Sequence, residues 1–316
     1  MKIAILDDYQ DACRSLRAWD KLAGHEVTVF RDTLKDTDAL VERLAGFEAL
    51  VLIRERTRLP AQVLERLPGL RALSQTGKAG PHIDLVACKR LGITVLEGSG
   101  SPYATAELTW GLVIAAMRQI PQEIDNLKRG GWQQSVGLGL HGRTLGVYGL
   151  GRIGAVVAGY GKAFGMQVQV WGREGSLERA QAAGLQAASS RDAFFADCDV
   201  VCLHVRLTPE TRGLVSRKDL SRMRPEAVFV NTSRAELVEP GALAAALADG
   251  RPGFAAVDVY EEEPVRGAAH PLLAMANAIC TPHLGYVERD GYELYFGAAF
   301  DNLAAFAAAK PGKAKA

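Results

Sequence analysis

Four short stretches carry residue types able to move a proton or hold an anion. Val230-Asn231-Thr232-Ser233-Arg234 sets an arginine among small polar residues directly after an apolar run. Ligands of open α/β sheets sit at the carboxyl ends of strands, and a guanidinium there grips a carboxylate through two parallel hydrogen bonds. Ala256-Val257-Asp258-Val259-Tyr260-Glu261-Glu262-Glu263-Pro264 buries Asp258 in an apolar run and follows it with three glutamates. A carboxylate inside a strand is costly unless it is partnered. Thr281-Pro282-His283-Leu284-Gly285 places a histidine, the side chain that titrates near neutral pH, in a turn after another apolar run. Gly77-Lys78-Ala79-Gly80-Pro81-His82-Ile83-Asp84 is a turn whose backbone N–H groups could nest an anion. Taken singly, each stretch also reads as ordinary structure: a surface arginine, solvated glutamates, a turn histidine, a plain loop.

The element that gives them a common purpose lies upstream. The apolar run 145–148 enters Gly149-Leu150-Gly151-Arg152-Ile153-Gly154, and a helical pattern, 155–164, leaves it. G-x-G-x-x-G between a strand and a helix binds a dinucleotide pyrophosphate. The first glycine permits the turn, the second lets backbone approach phosphate, and the third lets the helix pack on the strand. With 33 glycines in the chain, the bare spacing is weak; the flanking strand and helix give it weight. Its place in mid-chain indicates that another unit precedes it.

The composition narrows the classes. The 316 residues suffice for two domains. Hydrophobic residues make up 48% and charged residues 23%, a globular composition. A formal net charge of +1 gives no electrostatic case for nucleic acid or an acidic membrane as partner. Five scattered cysteines without a C-x-x-C pair suggest neither a disulfide framework nor a metal site. No apolar stretch reaches 18 residues, and the first run stops at Asp7 and Asp8, which reads as a strand rather than a signal peptide. The expected location is the cytoplasm.

Apolar runs at 2–6, 26–30, 49–53, 70–74 and 93–96 alternate with helical patterns at 14–22, 37–44, 60–67 and 84–91. That alternation predicts a parallel sheet with helices on both faces. Segment 103–118 is apolar on nearly all sides and should be buried, ending near Pro121. A second alternating unit opens at Thr144, with strands at 145–148, 168–171, 200–205, 227–231, 253–259 and 278–280. The alanine-rich helix 289–309 has no place in that second sheet, and the basic tail 310–316 is expected to fray. The fold class expected is α/β with two Rossmann-like, doubly wound parallel-sheet domains. A flavodoxin-like substrate domain, 1–100 with 285–316, would be interrupted by an inserted dinucleotide-binding domain, 101–284.

The four motifs together resemble the D-isomer-specific 2-hydroxyacid dehydrogenase family, over roughly residues 49–285. That family runs in the order glycine fingerprint, V-N-x-x-R-G, D-V-x-x-x-E-P and T-P-H-x-G, and the same order stands here at Gly149 to Gly154, Asn231 to Arg234, Asp258 to Pro264 and Thr281 to Gly285. The resemblance implies Arg234, Glu263 and His283 as catalytic residues. It implies cofactor contacts from Thr105, Gly149, Leu150, Gly151, Arg152, Ile153, Gly154, Gly172, Arg173, His204, Arg206, Thr232 and Asp258, the last beside the nicotinamide. Lys78, Ala79, Gly80, Arg234 and His283 would bind substrate, in a cleft between the domains. The implied reaction passes a hydride between NAD(P)H and a small 2-keto or 2-hydroxy acid, mainly as reduction of glyoxylate, hydroxypyruvate or a longer analogue. The implied assembly is a homodimer with segment 103–118 at the interface. A cofactor-sensing, corepressor-like binding protein is the alternative from another class. A formate dehydrogenase relative is the other, against which Glu263 stands, since that branch carries Gln.

Three departures from the family pattern matter. Gly172 stands where an NAD-preferring enzyme carries an aspartate for the ribose hydroxyls, and Arg173 follows it. This favours NADP(H), with NAD(H) possible if Glu174 reaches back to the ribose. Arg206 replaces a common proline. Ala79 and Pro81 replace a glycine and an aspartate of the substrate turn, so the substrate does not carry over by analogy.

Overall fold

A computed structural model describes residues 1–309; the tail 310–316, expected to fray, lies outside them. Contacts divide the chain into two compact units, one of Met1–Ser101 with the segment from Glu288 onward, the other Pro102–Val287.

The first unit is a five-stranded parallel sheet, β1 (Lys2–Ile5), β2 (Glu26–Val29), β3 (Ala49–Leu52), β4 (Ala72–Gln75) and β5 (Thr94–Glu97), in the order β2-β1-β3-β4-β5. Its central strands are continuous apolar runs because both faces are covered: Ile3, Ile5, Leu50 and Leu73 are fully buried. Side-chain caps start the helices between strands. Asp36 accepts from Ala39 N–H ahead of α1 (Thr37–Leu44), and Asp84 from Ala87 N–H ahead of α3 (Leu85–Leu91), which Gly92 ends in the left-handed region. A short α2 (Ala61–Leu64) lies between them. The helix expected over 14–22 is instead two 3₁₀ turns, Cys13–Ser15 and Arg17–Leu22. Asp8 offers an alternative to a continuous helix there, since its two oxygens accept from Ala12 N–H and Cys13 N–H. Asp8, Asp11 and Cys13 bring ligand atoms within 4.8 Å of one another. Those two hydrogen bonds engage both Asp8 oxygens, and burial pushes the Cys13 thiol far up, so the cluster reads as a local cap.

The long C-terminal helix, α11 (Arg289–Ala308), packs on the second 3₁₀ turn and on β4 of this first unit. Phe296 and Phe300 are buried, and Ser74 Oγ donates to Ala299 O across 2.8 Å.

The second unit is a seven-stranded parallel sheet in the order β12-β11-β10-β9-β6-β7-β8. Its strands are β6 (Thr144–Tyr148), β7 (Gln167–Trp171), β8 (Gln186–Ala187), β9 (Val200–Leu203), β10 (Val228–Asn231), β11 (Phe254–Val257) and β12 (Ala278–Cys280). The all-round apolar segment is α4 (Tyr103–Met117), which buries Ala106, Trp110 and Val113 within its own unit, against β10 and α6 (Arg152–Ala163). Pro121 does not end a helix. It occupies the first turn of α5 (Ile120–Lys128), a helix that the sequence reading missed, where a missing N–H costs nothing. The reading also missed β8 and α8 (Arg191–Asp197), whose Phe194 and Phe195 are fully buried. The remaining helices are α7 (Glu174–Ala182), α9 (Arg217–Leu220) and α10 (Ala242–Ala248). Among the described residues no helix is long and apolar enough to cross a membrane.

Candidate active site

Because every pair in the seven-stranded sheet is parallel, the carboxyl ends of its strands share one edge. Gly149 follows β6, Gly172 follows β7 and His204 follows β9. Thr232 and Arg234 follow β10, Asp258 follows β11 and His283 follows β12. Seven of the residues singled out in sequence thus reach one edge. The order reverses between β6 and β9, and such switch points are where ligands sit.

The glycine turn is built at that point. Gly149 has φ +94°, and a Cβ there would stand 2.6 Å from His204 O. A Cβ on Gly154 would stand 2.2 Å from Gly149 O, so helix α6 lies against the turn only because that carbon is absent. A Cβ on Gly151 would meet nothing within 4 Å, which leaves open space directly before the N-terminus of α6. Leu150 is buried, while Gly151 and Arg152 are exposed. Both ring nitrogens of His204 are buried without a hydrogen-bond partner, and burial holds the imidazole neutral, its pKa pushed down to about 4. A tight, open-fronted glycine turn with backbone N–H groups at a helix start is the surface a dinucleotide pyrophosphate requires. The residues present fit that group.

On the neighbouring strands a second cluster forms around Asp258. This carboxylate is fully buried. Oδ1 accepts from Thr281 Oγ1 and Leu284 N–H, both at 2.6 Å, and Oδ2 from Gly285 N–H at 2.8 Å. Burial pushes its pKa up to about 6, against the pull of those three donors, and the charge of Glu263 adds to the rise. Asp258 therefore clamps both sides of His283, whose φ of +52° few non-glycine residues adopt. Asp258, expected inside a strand, lies just past the end of β11, and its buried carboxylate holds the histidine turn.

His283 Nδ1 lies 2.7 Å from Glu263 Oε2. A carboxylate accepts, so Nδ1 carries the proton and Nε2 faces the opposite side of the ring. Glu263 Oε1 accepts from Tyr260 N–H at 3.0 Å, and Tyr260 Oη donates to Thr281 O at 3.0 Å, so the glutamate and the histidine turn are held by the same tyrosine. Tyr286 packs edge-on against the imidazole, ring centroids 5.4 Å apart. Arg234 is placed by its strand end: Asn231 Nδ2 donates to Arg234 O at 2.8 Å, and Arg234 Nη1 donates to Ser233 O at 2.7 Å. Thr105 Oγ1 donates to Gly285 O at 2.7 Å, and Thr109 and Thr232 share a 2.7 Å hydroxyl contact, which ties α4 to both loops.

Thr109 and Tyr286 lie outside the four stretches singled out in sequence, and Tyr260 and Thr281 lie within them but were given no role. The Thr105/Thr109 spacing of one helical turn was the visible signal; the roles of the two tyrosines depend on contacts between loops. Arg173 and Arg206 are exposed at the same edge. Lys78, Ala79 and Gly80 belong to the first unit, after β4. There Lys78 Nζ lies 3.0 Å from Glu97 Oε2, and Ala79 N–H donates to Glu97 Oε1 at 2.8 Å.

Comparison with known proteins agrees with this geometry. Residues 110–285 match the family model for the D-isomer specific 2-hydroxyacid dehydrogenase, NAD binding domain. A glyoxylate reductase of Aeropyrum pernix is 33% identical over 98% of this chain and 90% of its own. A D-3-phosphoglycerate dehydrogenase of Methanocaldococcus jannaschii is 38% identical over 78% of this chain, which spans only 47% of that longer relative. Among solved structures, a phosphoglycerate oxidoreductase from Vibrio cholerae is 53% identical with a TM-score of 0.94, covering 97% of this chain and 99% of that one. An oxidoreductase from Ralstonia solanacearum is 55% identical with a TM-score of 0.95, over 97% and 94%. With the glycine turn, the clamped histidine and the arginine on one sheet edge, the chain belongs to the D-isomer specific 2-hydroxyacid dehydrogenase family.

Proposed function

We propose that this chain reduces a small 2-keto acid to the corresponding D-2-hydroxy acid with a nicotinamide dinucleotide, with NADP(H) preferred. The observation that carries the reading is the 2.7 Å His283–Glu263 pair on the same sheet edge as Arg234 and the glycine turn. When bound, the dinucleotide supplies the hydride. Residues proposed to hold it are Gly149 to Gly154 at the pyrophosphate with Thr105 near the phosphates, Gly172, Arg173, His204 and Arg206 toward the adenosine, and Thr232 and Asp258 toward the nicotinamide.

His283 donates from Nε2 the proton that the new alkoxide oxygen takes up. Glu263, at Nδ1, fixes the ring and favours its charged form. Arg234 binds the carboxylate and polarises the keto oxygen. In the first unit, Lys78-Ala79-Gly80 is the proposed second holder of that carboxylate. Glu97 occupies Ala79 N–H and one of the three Lys78 N–H donors, so an incoming carboxylate competes with it at Ala79 N–H.

The names of the relatives, which include phosphoglycerate, point to a second substrate pair, D-3-phosphoglycerate and the 2-keto acid that its oxidation yields, 3-phosphohydroxypyruvate, handled by the same residues. A cofactor-sensing protein without turnover is not favoured by relatives named as dehydrogenases and reductases. The proposed assembly is a homodimer built on the second unit.

The test is steady-state turnover of NADPH and NADH with glyoxylate, hydroxypyruvate, 3-phosphohydroxypyruvate and longer 2-keto acids. Reduction of one or more of them is expected. Cofactor binding without turnover on the whole panel overturns the enzymatic reading. A kcat/KM with NADH equal to or above that with NADPH overturns the cofactor preference.

A further inference from the structure

At the end of β7, position 172 is tightly packed. A Cβ on Gly172 would lie 3.0 Å from both Cβ and Oγ of Ser176, and 3.6 Å from Gly149 Cα. Any side chain at this position would crowd a serine of α7, which would have to give way by a few tenths of an ångström. Ser176 is itself buried, and its Oγ lies 3.4 Å from Leu150 N in the glycine turn. One turn further along α7, Arg179 Nε donates to Leu150 O at 2.7 Å, and Nη2 lies 3.4 Å from Ser176 Oγ. Helix α7 is thus stitched to the phosphate-binding turn by a hydroxyl and a guanidinium. Arg179 uses two of its five N–H groups in these contacts and is exposed at the sheet edge.

The other charged groups nearby sharpen the assignment. Arg173 is exposed, and its charge is the last of the influences on the Glu210 carboxyl, which the Thr208 hydroxyl first holds below its ordinary range. Glu174 lines a groove with Leu177, Gln181 and Leu185, a different face of α7 from Ser176. The edge beside the turn therefore offers a hydroxyl and a cation where a carboxylate for ribose hydroxyls would stand.

We propose that Ser176 and Arg179 form a 2′-phosphate subsite on the adenosine ribose, with Arg179 as its principal cation. This rests on the NADP(H) preference proposed above and assigns it to residues outside the strand-end pair Gly172-Arg173. A guanidinium suits the role because it keeps Nε on the turn while its Nη groups meet a phosphate.

The experiment is calorimetric titration of the full chain with adenosine 2′,5′-bisphosphate and with 5′-AMP, which needs no turnover. The unmodified chain should bind the bisphosphate at least about tenfold more tightly, the scale of one charge-assisted contact. Arg179→Gln keeps an N–H for Leu150 O but removes the charge. It should abolish most of that preference and leave 5′-AMP binding within about twofold, whereas Arg179→Lys should retain part of the preference. Equal binding of the two ligands by the unmodified chain overturns the NADP(H) reading itself. A preference that survives in Arg179→Gln overturns the subsite and leaves that reading standing. Equal losses for both ligands would confine Arg179 to holding the turn, and would also overturn the subsite.

Discussion

Glu263 holds His283 by Nδ1 and leaves Nε2 on the opposite side of the ring. Oε2 takes Nδ1 at 2.7 Å while Oε1 takes Tyr260 N–H at 3.0 Å, so the carboxylate cannot swing away without losing a backbone partner. Glu263 thus contributes to both the orientation and the charge of the imidazole. Replacing His283 by Ala should cut reduction by at least about 100-fold and leave cofactor binding intact, the scale of a lost general acid. Glu263→Gln should cost about 10- to 100-fold in kcat and move the alkaline fall of reduction to lower pH, because the carboxylate that favours the charged ring is gone. The pH dependence of kcat/KM for the three proteins is the measurement. Unchanged turnover in His283→Ala removes that residue from the mechanism.

Two buried groups of the second unit titrate in opposite senses over one pH window. Asp258 has its pKa raised to about 6, so between about pH 4 and 6 the folded state holds a proton that the unfolded chain has released. Stability from this group is greatest at acid pH and is lost as pH rises through 6. His204 has its pKa lowered to about 4, so over the same window the unfolded chain holds the extra proton. Its contribution is present above the ordinary histidine range and is lost as pH falls through 4. The two slopes, each about 1.4 kcal/mol per pH unit, oppose one another and nearly cancel. Relative to the unmodified chain, His204→Leu should lose stability as pH rises from about 4 to 6, and Asp258→Asn should gain it. Apart from its slope, Asp258→Asn should also be less stable by about 1–3 kcal/mol, since its amide would face an N–H of the histidine turn. Urea unfolding followed at several pH values in this window reads both effects, and parallel curves for all three proteins would refute the assignment.

Much of this was legible in the residues. Periodicity located most strands because the central ones are buried on both faces and carry no alternation to misread, as in β3, β9 and β10. The motifs put Arg234 and His283 just after strands, where the structure has them, while Asp258, read as inside a strand over 253–259, lies just past the end of β11. What was not legible depended on contacts across loops. The three donors on Asp258 come from residues 23 to 27 positions downstream. Ser176 is an ordinary helix residue until Gly172 is seen packed beneath it. Pro121 misled because a proline after a long apolar segment signals a stop, while the left-handed Gln119 before it had already turned the chain into a new helix.

The fingerprint glycines separate a folding requirement from a binding one. A Cβ on Gly154 would stand 2.2 Å from Gly149 O, within the backbone of the turn, so Gly154→Ala must push α6 away from β6. It should lower the melting temperature and weaken dinucleotide binding together. A Cβ on Gly151 would meet no atom of the chain within 4 Å. Gly151→Ala should therefore leave the melting temperature within about 1–2 °C, the range of a neutral surface change. Its dinucleotide Kd should still rise by about tenfold or more, because the open space is where the phosphates approach. Melting curves with and without cofactor distinguish the two. Full affinity in Gly151→Ala would mean that the pyrophosphate does not use this turn.

The proposed dimer has a definite surface to test. Most apolar side chains of α4 are spent inside the second unit, so the free apolar surface lies just beyond it. On α5, Ile120, Ile124 and Leu127 are 39%, 49% and 59% exposed, and the following arm shows Trp132 at 74% and Val136 at 93%. That arm is strapped down: Glu123 accepts from Gln134 N–H, Ser135 N–H and Ser135 Oγ, and Asn126 Nδ2 donates to Trp132 O at 3.1 Å. Holding a tryptophan and a valine out in water by four hydrogen bonds is costly unless a partner covers them. A second copy of this chain is the proposed partner. Leu127→Glu with Trp132→Glu would bury two charges in such an interface, so the pair should yield monomers at micromolar concentration while the melting of each protomer's core is preserved. Sedimentation velocity of the two proteins is the check. A monomeric unmodified chain, or a dimer that survives both substitutions, would place the interface elsewhere or remove it.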